Sequence, residues 1–96
     1  MLANTFWATT FVEQLYKSGI STAVIAPGSR STPLTMAFAV HPKITVHSIL
    51  DERGAAFFAL GTGLNSGMPA ALVCTSGTAT ANFYPAVIEA NLARVP

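Results

Sequence analysis

Strand-like and helix-like patterns alternate along the whole chain, and that alternation constrains the fold more than any other feature. Short apolar runs stand at Thr22 to Ala26, Ile44 to Ile49 and Ala70 to Cys74. Each leads into a run with helical spacing, about Thr32 to Val40, Glu52 to Asn65 and Gly77 to Leu92. A further amphipathic segment over residues 5–18 comes first, with Trp7, Ala8, Phe11, Val12 and Leu15 on one face. Asn4 or Thr5 is placed to cap its start, and Gly19 to end it. Thr32 and Pro33 read as cap and first residue of the second helix, which His41-Pro42 ends, because the residue before proline disfavours helix. Strands separated by helices pair in parallel, since a tight hairpin is unavailable to them. The expected fold class is therefore α/β, a parallel sheet with helices on both faces.

Composition sharpens this picture. The 96 residues suffice for one small domain or part of a larger one, but only 9% are charged and 51% are hydrophobic. An average globular domain carries roughly 25% charge. With a mean hydropathy of +0.50, much of the surface is expected to be covered by something outside these residues. The helix after Glu52 is apolar nearly all round, so burial on more than one side is expected. Its small residues Ala55, Ala56, Ala59, Gly61 and Gly63 suit either packing on its own sheet or an interface with another domain or subunit.

The net charge of +1 gives no electrostatic basis for binding nucleic acid or an anionic membrane. No apolar run reaches the ~18 residues of a membrane span. Residues 1–10 lack a basic stretch followed by an apolar block, so no secretion signal is expected. Cys74 is the single cysteine, which fits a reducing, cytoplasmic setting. The last helix pattern is followed by Ala93 to Pro96. The chain is expected to be the N-terminal portion of a longer protein.

In a parallel sheet every strand-to-helix turn lies on one edge, where ligands bind in open α/β folds. Here the turns are Pro27 to Thr32, Leu50 to Gly54 and Thr75 to Thr80. The first sets Gly28, three hydroxyls and Arg30 together, and the planar fork of Arg30 suits a carboxylate or phosphate unless it pairs with Asp51. Ser29, Ser31 and Thr32 are all candidate ligand contacts, with one expected to serve only as helix cap. Of just four acids, Asp51 and Glu52 are adjacent on this edge. Asp51 and Arg53 are expected to hold the turn. Glu52 is either a partner of the helix dipole or a partly buried carboxylate sharing a proton with a ligand nitrogen. In the third turn Gly77 permits close approach of a flat ligand, and Asn82 stands one helical turn on. Neither a Walker loop nor a Gly-x-Gly-x-x-Gly fingerprint is present. The closing glycine of a nucleophile elbow is missing. His41, read as a loop residue, and His47, in a strand, have no second metal-type ligand at a useful spacing, so no metal site is expected within the chain, and Glu89 reads as a structural or surface residue.

Three motifs in fixed order carry a family resemblance: Ile25 to Leu34 (IAPGSRSTPL), Asp51 to Gly54 (DERG), and Thr75 to Ala79 (TSGTA) with Ala81 to Ala86 (ANFYPA). Together they resemble the N-terminal region of the 2-succinyl-5-enolpyruvyl-6-hydroxy-3-cyclohexene-1-carboxylate synthases of the menaquinone pathway, which are thiamine diphosphate enzymes. The first motif is the more specific to this family; the glutamate after the second strand is shared more widely among thiamine diphosphate enzymes.

The resemblance implies a pyrimidine-binding domain of which residues 1–96 form the truncated first part, the remaining domains lying outside. It implies that Glu52 hydrogen-bonds the N1′ nitrogen of the cofactor's aminopyrimidine. That contact favours the imino tautomer, which removes the C2 proton of the thiazolium, so that 2-oxoglutarate is decarboxylated and the remaining carbanion adds to isochorismate. It further implies that Ser29 and Arg30 contact substrate carboxylates, and that Thr75, Ser76, Gly77, Thr78 and Asn82 lie against the cofactor. Mg2+, or Mn2+ in its place, is expected on a domain outside this chain. The site is expected between subunits of a homodimer or homotetramer, so residues 1–96 alone should be inactive. Two alternatives are another thiamine diphosphate-dependent decarboxylase or synthase, and a non-catalytic α/β module binding a phosphate ligand.

Overall fold

The central strand explains the architecture. The computed structural model describes residues 2–96 and leaves Met1 outside the description. It runs α1 (Ala3–Lys17), β1 (Thr22–Ile25), a 3-10 turn (Ser29–Ser31), α2 (Thr32–Val40), β2 (Thr45–Ser48), α3 (Glu52–Ser66), β3 (Ala71–Val73), a 3-10 segment (Gly77–Phe83) and α4 (Tyr84–Ala93). Residues 23–26 of β1 and its extension are wholly buried. β1 accordingly lies in the middle of a parallel sheet of order β2-β1-β3. Ile25 aligns with Ser48 on one side and with Val73 on the other. The ladder continues one step beyond the strands, through Ile49 N–H to the Ile25 carbonyl at 3.0 Å and Ala26 N–H to the Val73 carbonyl at 2.9 Å.

Alternation along β1 sends side chains to opposite faces. Ala23 and Ile25 pack with Ala8 and Val12 of α1 and with Ala37 and Phe38 of α2. Val24 and Ala26 pack with Ala55 of α3, and Ala56 meets Phe83 and Ala86 on that same side. The crossover through α2 moves from β1 towards one edge on the first face. The crossover through α3 moves in the opposite direction on the other face, so the two have the same hand, as βαβ units do. The expected α/β class, with helices on both faces of a parallel sheet, is what the chain adopts.

Several local expectations differ. Leu2, not Asn4 or Thr5, holds the N-cap position of α1, without a side-chain hydrogen bond, and Asn4 lies inside the first turn. Thr32 is not a cap but the first residue of α2, because the preceding residues already wind as a 3-10 turn. Its hydroxyl donates back to the Ser29 carbonyl at 2.7 Å. The last helix does not start as α at Gly77. Pro85 has no N–H for the Ala81 carbonyl, and its ring would crowd that carbonyl, so regular α-helix begins only at Tyr84 with proline in its first turn.

On the expected inner face of α1, Ala8 and Val12 are buried, whereas Trp7 and Phe11 stay exposed. They stack on each other, with ring centroids 5.1 Å apart. In α3, Ala55, Ala56 and Gly63 are buried, while Phe57, Phe58 and Leu64 face outward, so its burial within this chain is one-sided. Tyr84, Val87, Ile88 and Leu92 of α4 are exposed as well.

His41, the C-cap of α2, fastens α2 to α1. Its Nε2 lies 3.0 Å from a Glu13 carboxylate oxygen, and its ring sits 4.8 Å from that of Tyr16. The Lys43 N–H donates to Nδ1 at 3.1 Å, which leaves Nε2 as the protonated nitrogen that donates to Glu13.

Candidate functional site on the carboxyl edge of the sheet

The aligned ends of Ile25, Ser48 and Val73 put all three strand-to-helix turns on one edge, with the first turn in the middle. The first and third turns touch. A Cβ built on Gly28 would lie 2.2 Å from Cβ of Thr75, a separation no real pair adopts. Gly28 is thus required by backbone approach, and this approach fixes the third turn against the first. Nothing in either sequence segment alone signals it, because the partners are far apart along the chain.

The hydroxyls of the first turn sort themselves. Ser31 is buried, and its Oγ donates to the Gly28 carbonyl at 3.0 Å. Thr32 is engaged with Ser29 as described. Ser29 itself is exposed, with its hydroxyl donating to no described residue, so it is the one of the three left for a ligand. Arg30 is also exposed, next to Ser29. It does not pair with Asp51; among the described residues the one ion-pair geometry is Glu13 with His41. Arg30 instead lines a groove shared with Asn4 and Trp7 of α1, residues that sequence reasoning did not connect to this edge.

In the second turn the two acids divide. Asp51 is the N-cap of α3, and its carboxylate accepts from the Gly54 N–H at 3.1 Å. That satisfies one of the free donors of the helix start. Glu52, the first residue of α3, is half-buried and receives no hydrogen bond from a described residue. With its neighbour committed to the cap, Glu52 is the carboxylate still available on this edge.

In the third turn Gly77 has φ +78°, in the left-handed region, and the space where a Cβ would stand is open. Ser76 precedes it without capping the 3-10 segment through its side chain. Thr75 is half-buried against Gly28, and Thr78 is exposed. Asn82 turns back to this loop, its Nδ2 donating to the Thr78 carbonyl at 3.2 Å. The edge therefore combines a cation and a free hydroxyl, an uncommitted carboxylate, and an open, flat backbone turn. Such a set suits a ligand with an anionic part and a planar nitrogen-bearing part.

Comparison with known proteins gives the class. Residues 7–96 match the family described as "Thiamine pyrophosphate enzyme, N-terminal TPP binding domain", and the chain belongs to that family. Within it, the chain is similar to proteins named 2-succinyl-5-enolpyruvyl-6-hydroxy-3-cyclohexene-1-carboxylate synthase. It is 64% identical to the one from Gloeothece citriformis (strain PCC 7424), over 97% of this chain and 16% of that protein. Identity to the one from Natronomonas pharaonis is also 64%, with the same coverage. The relative from Rippkaea orientalis is 62% identical, again over 97% of this chain and 16% of its own length. The chain thus spans about a sixth of the curated relatives it matches.

Among the described residues no helix is long and apolar enough to cross a membrane.

Proposed function

We propose that residues 1–96 form the first part of the pyrimidine-binding domain of a thiamine diphosphate-dependent synthase. The full-length protein decarboxylates 2-oxoglutarate and adds the succinyl semialdehyde unit to isochorismate, in menaquinone biosynthesis. The observation that carries this reading is the division of labour at the head of α3, where Asp51 caps the helix and Glu52 is left half-buried and uncommitted. The names of the similar proteins support the choice of reaction.

The residues fit the planar half of the cofactor. Gly77 offers open backbone, and Glu52 offers a carboxyl group on the same edge. Bound thiamine diphosphate supplies the reactive carbon for decarboxylation and carbon–carbon bond formation. Glu52 would share a proton with the N1′ ring nitrogen of the bound cofactor and so would set the tautomer of the aminopyrimidine. Thr75, Ser76, Gly77 and Thr78, steadied by Asn82, orient the pyrimidine. Ser29 and Arg30 bind substrate carboxylates, the guanidinium supplying fixed positive charge. The diphosphate and its Mg2+ or Mn2+ are assigned to another domain of the full-length protein. The exposed apolar faces of α3 and α4 fit a cytoplasmic homodimer or homotetramer with the site between subunits, which leaves this portion inactive alone.

The test is E52Q in the full-length protein. Exchange of the C2 proton of bound cofactor, followed by NMR, is expected to fall by about 10²-fold or more, with far-UV circular dichroism unchanged. Exchange at the wild-type rate in a folded E52Q protein would remove Glu52 from its assigned role.

A further inference from the structure

Arg30 is a cation on the ligand edge with no counter-ion among the described residues. Glu13 is paired with His41, and Asp51 is bound to Gly54 N–H. Arg30 lines a groove of about 220 Å³ between the first turn and α1. Asn4 and Trp7 line it from α1, Ser31 lines it from the turn, and Ala8 and Leu34 supply apolar wall.

The groove lies at the amino end of α1, since Asn4 is the second residue of that helix. Leu2 caps the helix with extended backbone and no side-chain hydrogen bond, and the first turn holds no acid. Among the described residues the first N–H groups of α1 therefore have no side-chain acceptor, and the positive end of a 15-residue helix adds to the charge of Arg30. Trp7 is 59% exposed and held by its stack on Phe11. Such a ring is a rigid apolar plate beside the cation.

We propose that Asn4 and Trp7 complete, with Arg30, a subsite for a small ring-bearing carboxylate. They act as specificity-determining residues that favour the cyclic substrate over the open-chain one. The carboxylate takes the guanidinium fork and the Asn4 amide, and the ring lies against Trp7. This rests on the reading of Ser29 and Arg30 as substrate-carboxylate contacts, and extends the site from the turn onto α1. The groove, about 220 Å³, has room for a carboxylated six-membered ring, and its lining offers both polar groups (Asn4, Arg30, Ser31) and apolar ones (Trp7, Ala8, Leu34).

The experiment uses the full-length enzyme with thiamine diphosphate and Mg2+, and measures KM for isochorismate and for 2-oxoglutarate separately. N4D places a carboxylate beside Arg30, competing for it and repelling the substrate. It is expected to raise the isochorismate KM by about tenfold or more, with the 2-oxoglutarate KM and cofactor affinity little changed. W7F keeps a stacking ring and the fold, and is expected to raise the isochorismate KM less than N4D does. If R30A raises that KM while N4D and W7F leave it unchanged, the α1 subsite is overturned and the reading of the turn stands. If N4D raises both KM values and weakens cofactor binding in parallel, Asn4 is structural and the subsite is overturned as well. An R30A enzyme with wild-type KM for both substrates would overturn the assignment of the turn itself, and the subsite with it.

Discussion

Gly28 has φ −174°, extended backbone open to any residue, so its conformation does not call for glycine. Contact does, because the third turn comes so close that a Cβ would strike Cβ of Thr75. G28A is expected to cost about 1–3 kcal/mol, the usual range for overpacking, read as a lowered denaturation midpoint. The geometry also specifies the rescue. G28A/T75A should not recover, since Cβ itself is the nearest obstacle, whereas G28A/T75G should recover in part. Equal recovery by both double variants would contradict the contact. At the same scale the three hydroxyls of the first turn are indistinguishable in sequence, and only their partners separate Ser31 and Thr32, which donate to carbonyls, from Ser29.

Among the elements, α3 shows how a helix start positions a side chain. Asp51 at the N-cap fixes where the first turn begins, and that places Glu52 on the edge. D51A is expected to cost about 1 kcal/mol, as loss of an N-cap does, and to weaken thiamine diphosphate binding in the full-length protein by loosening Glu52. Calorimetric titration with cofactor and Mg2+ checks this; unchanged affinity would show that Glu52 is positioned without the cap. The existence and order of all strands and helices were legible from hydrophobic periodicity, and the strand ends came within one or two residues. What was not legible was the 3-10 winding before α2 and α4. Helical spacing over short runs does not separate a 3-10 turn from an α turn, and the reason in the second case is the single missing N–H of Pro85.

At the scale of the molecule, the low charge of the chain now has a location. Phe57, Phe58 and Leu64 of α3, Tyr84, Val87 and Leu92 of α4, and Trp7 of α1 all stand exposed. β3 lies at the sheet edge beside an apolar groove of about 590 Å³, lined by Ile20, Phe38, Leu72 and Phe83 among others. Exposed apolar surface on this scale drives association. Produced alone, residues 1–96 are expected to bind a hydrophobic dye such as ANS and to elute above the 10.0 kDa monomer mass on size exclusion; a monomeric, dye-silent chain would contradict this. The sequence by itself determined the α/β class, the parallel pairing and the shared edge of the three turns. These follow from local periodicity and from the rule that parallel strands end together. It also marked Glu52 and Arg30 as candidates by residue type and position on the turns, whereas Ser29 was set apart from Ser31 and Thr32 only by the family resemblance. Only the tertiary structure decided that the first and third turns touch through Gly28 and that Arg30 shares a groove with Asn4 and Trp7 of α1. Both depend on distances between groups far apart along the chain, which no local pattern encodes, whereas the Asp51 cap is a contact three residues long.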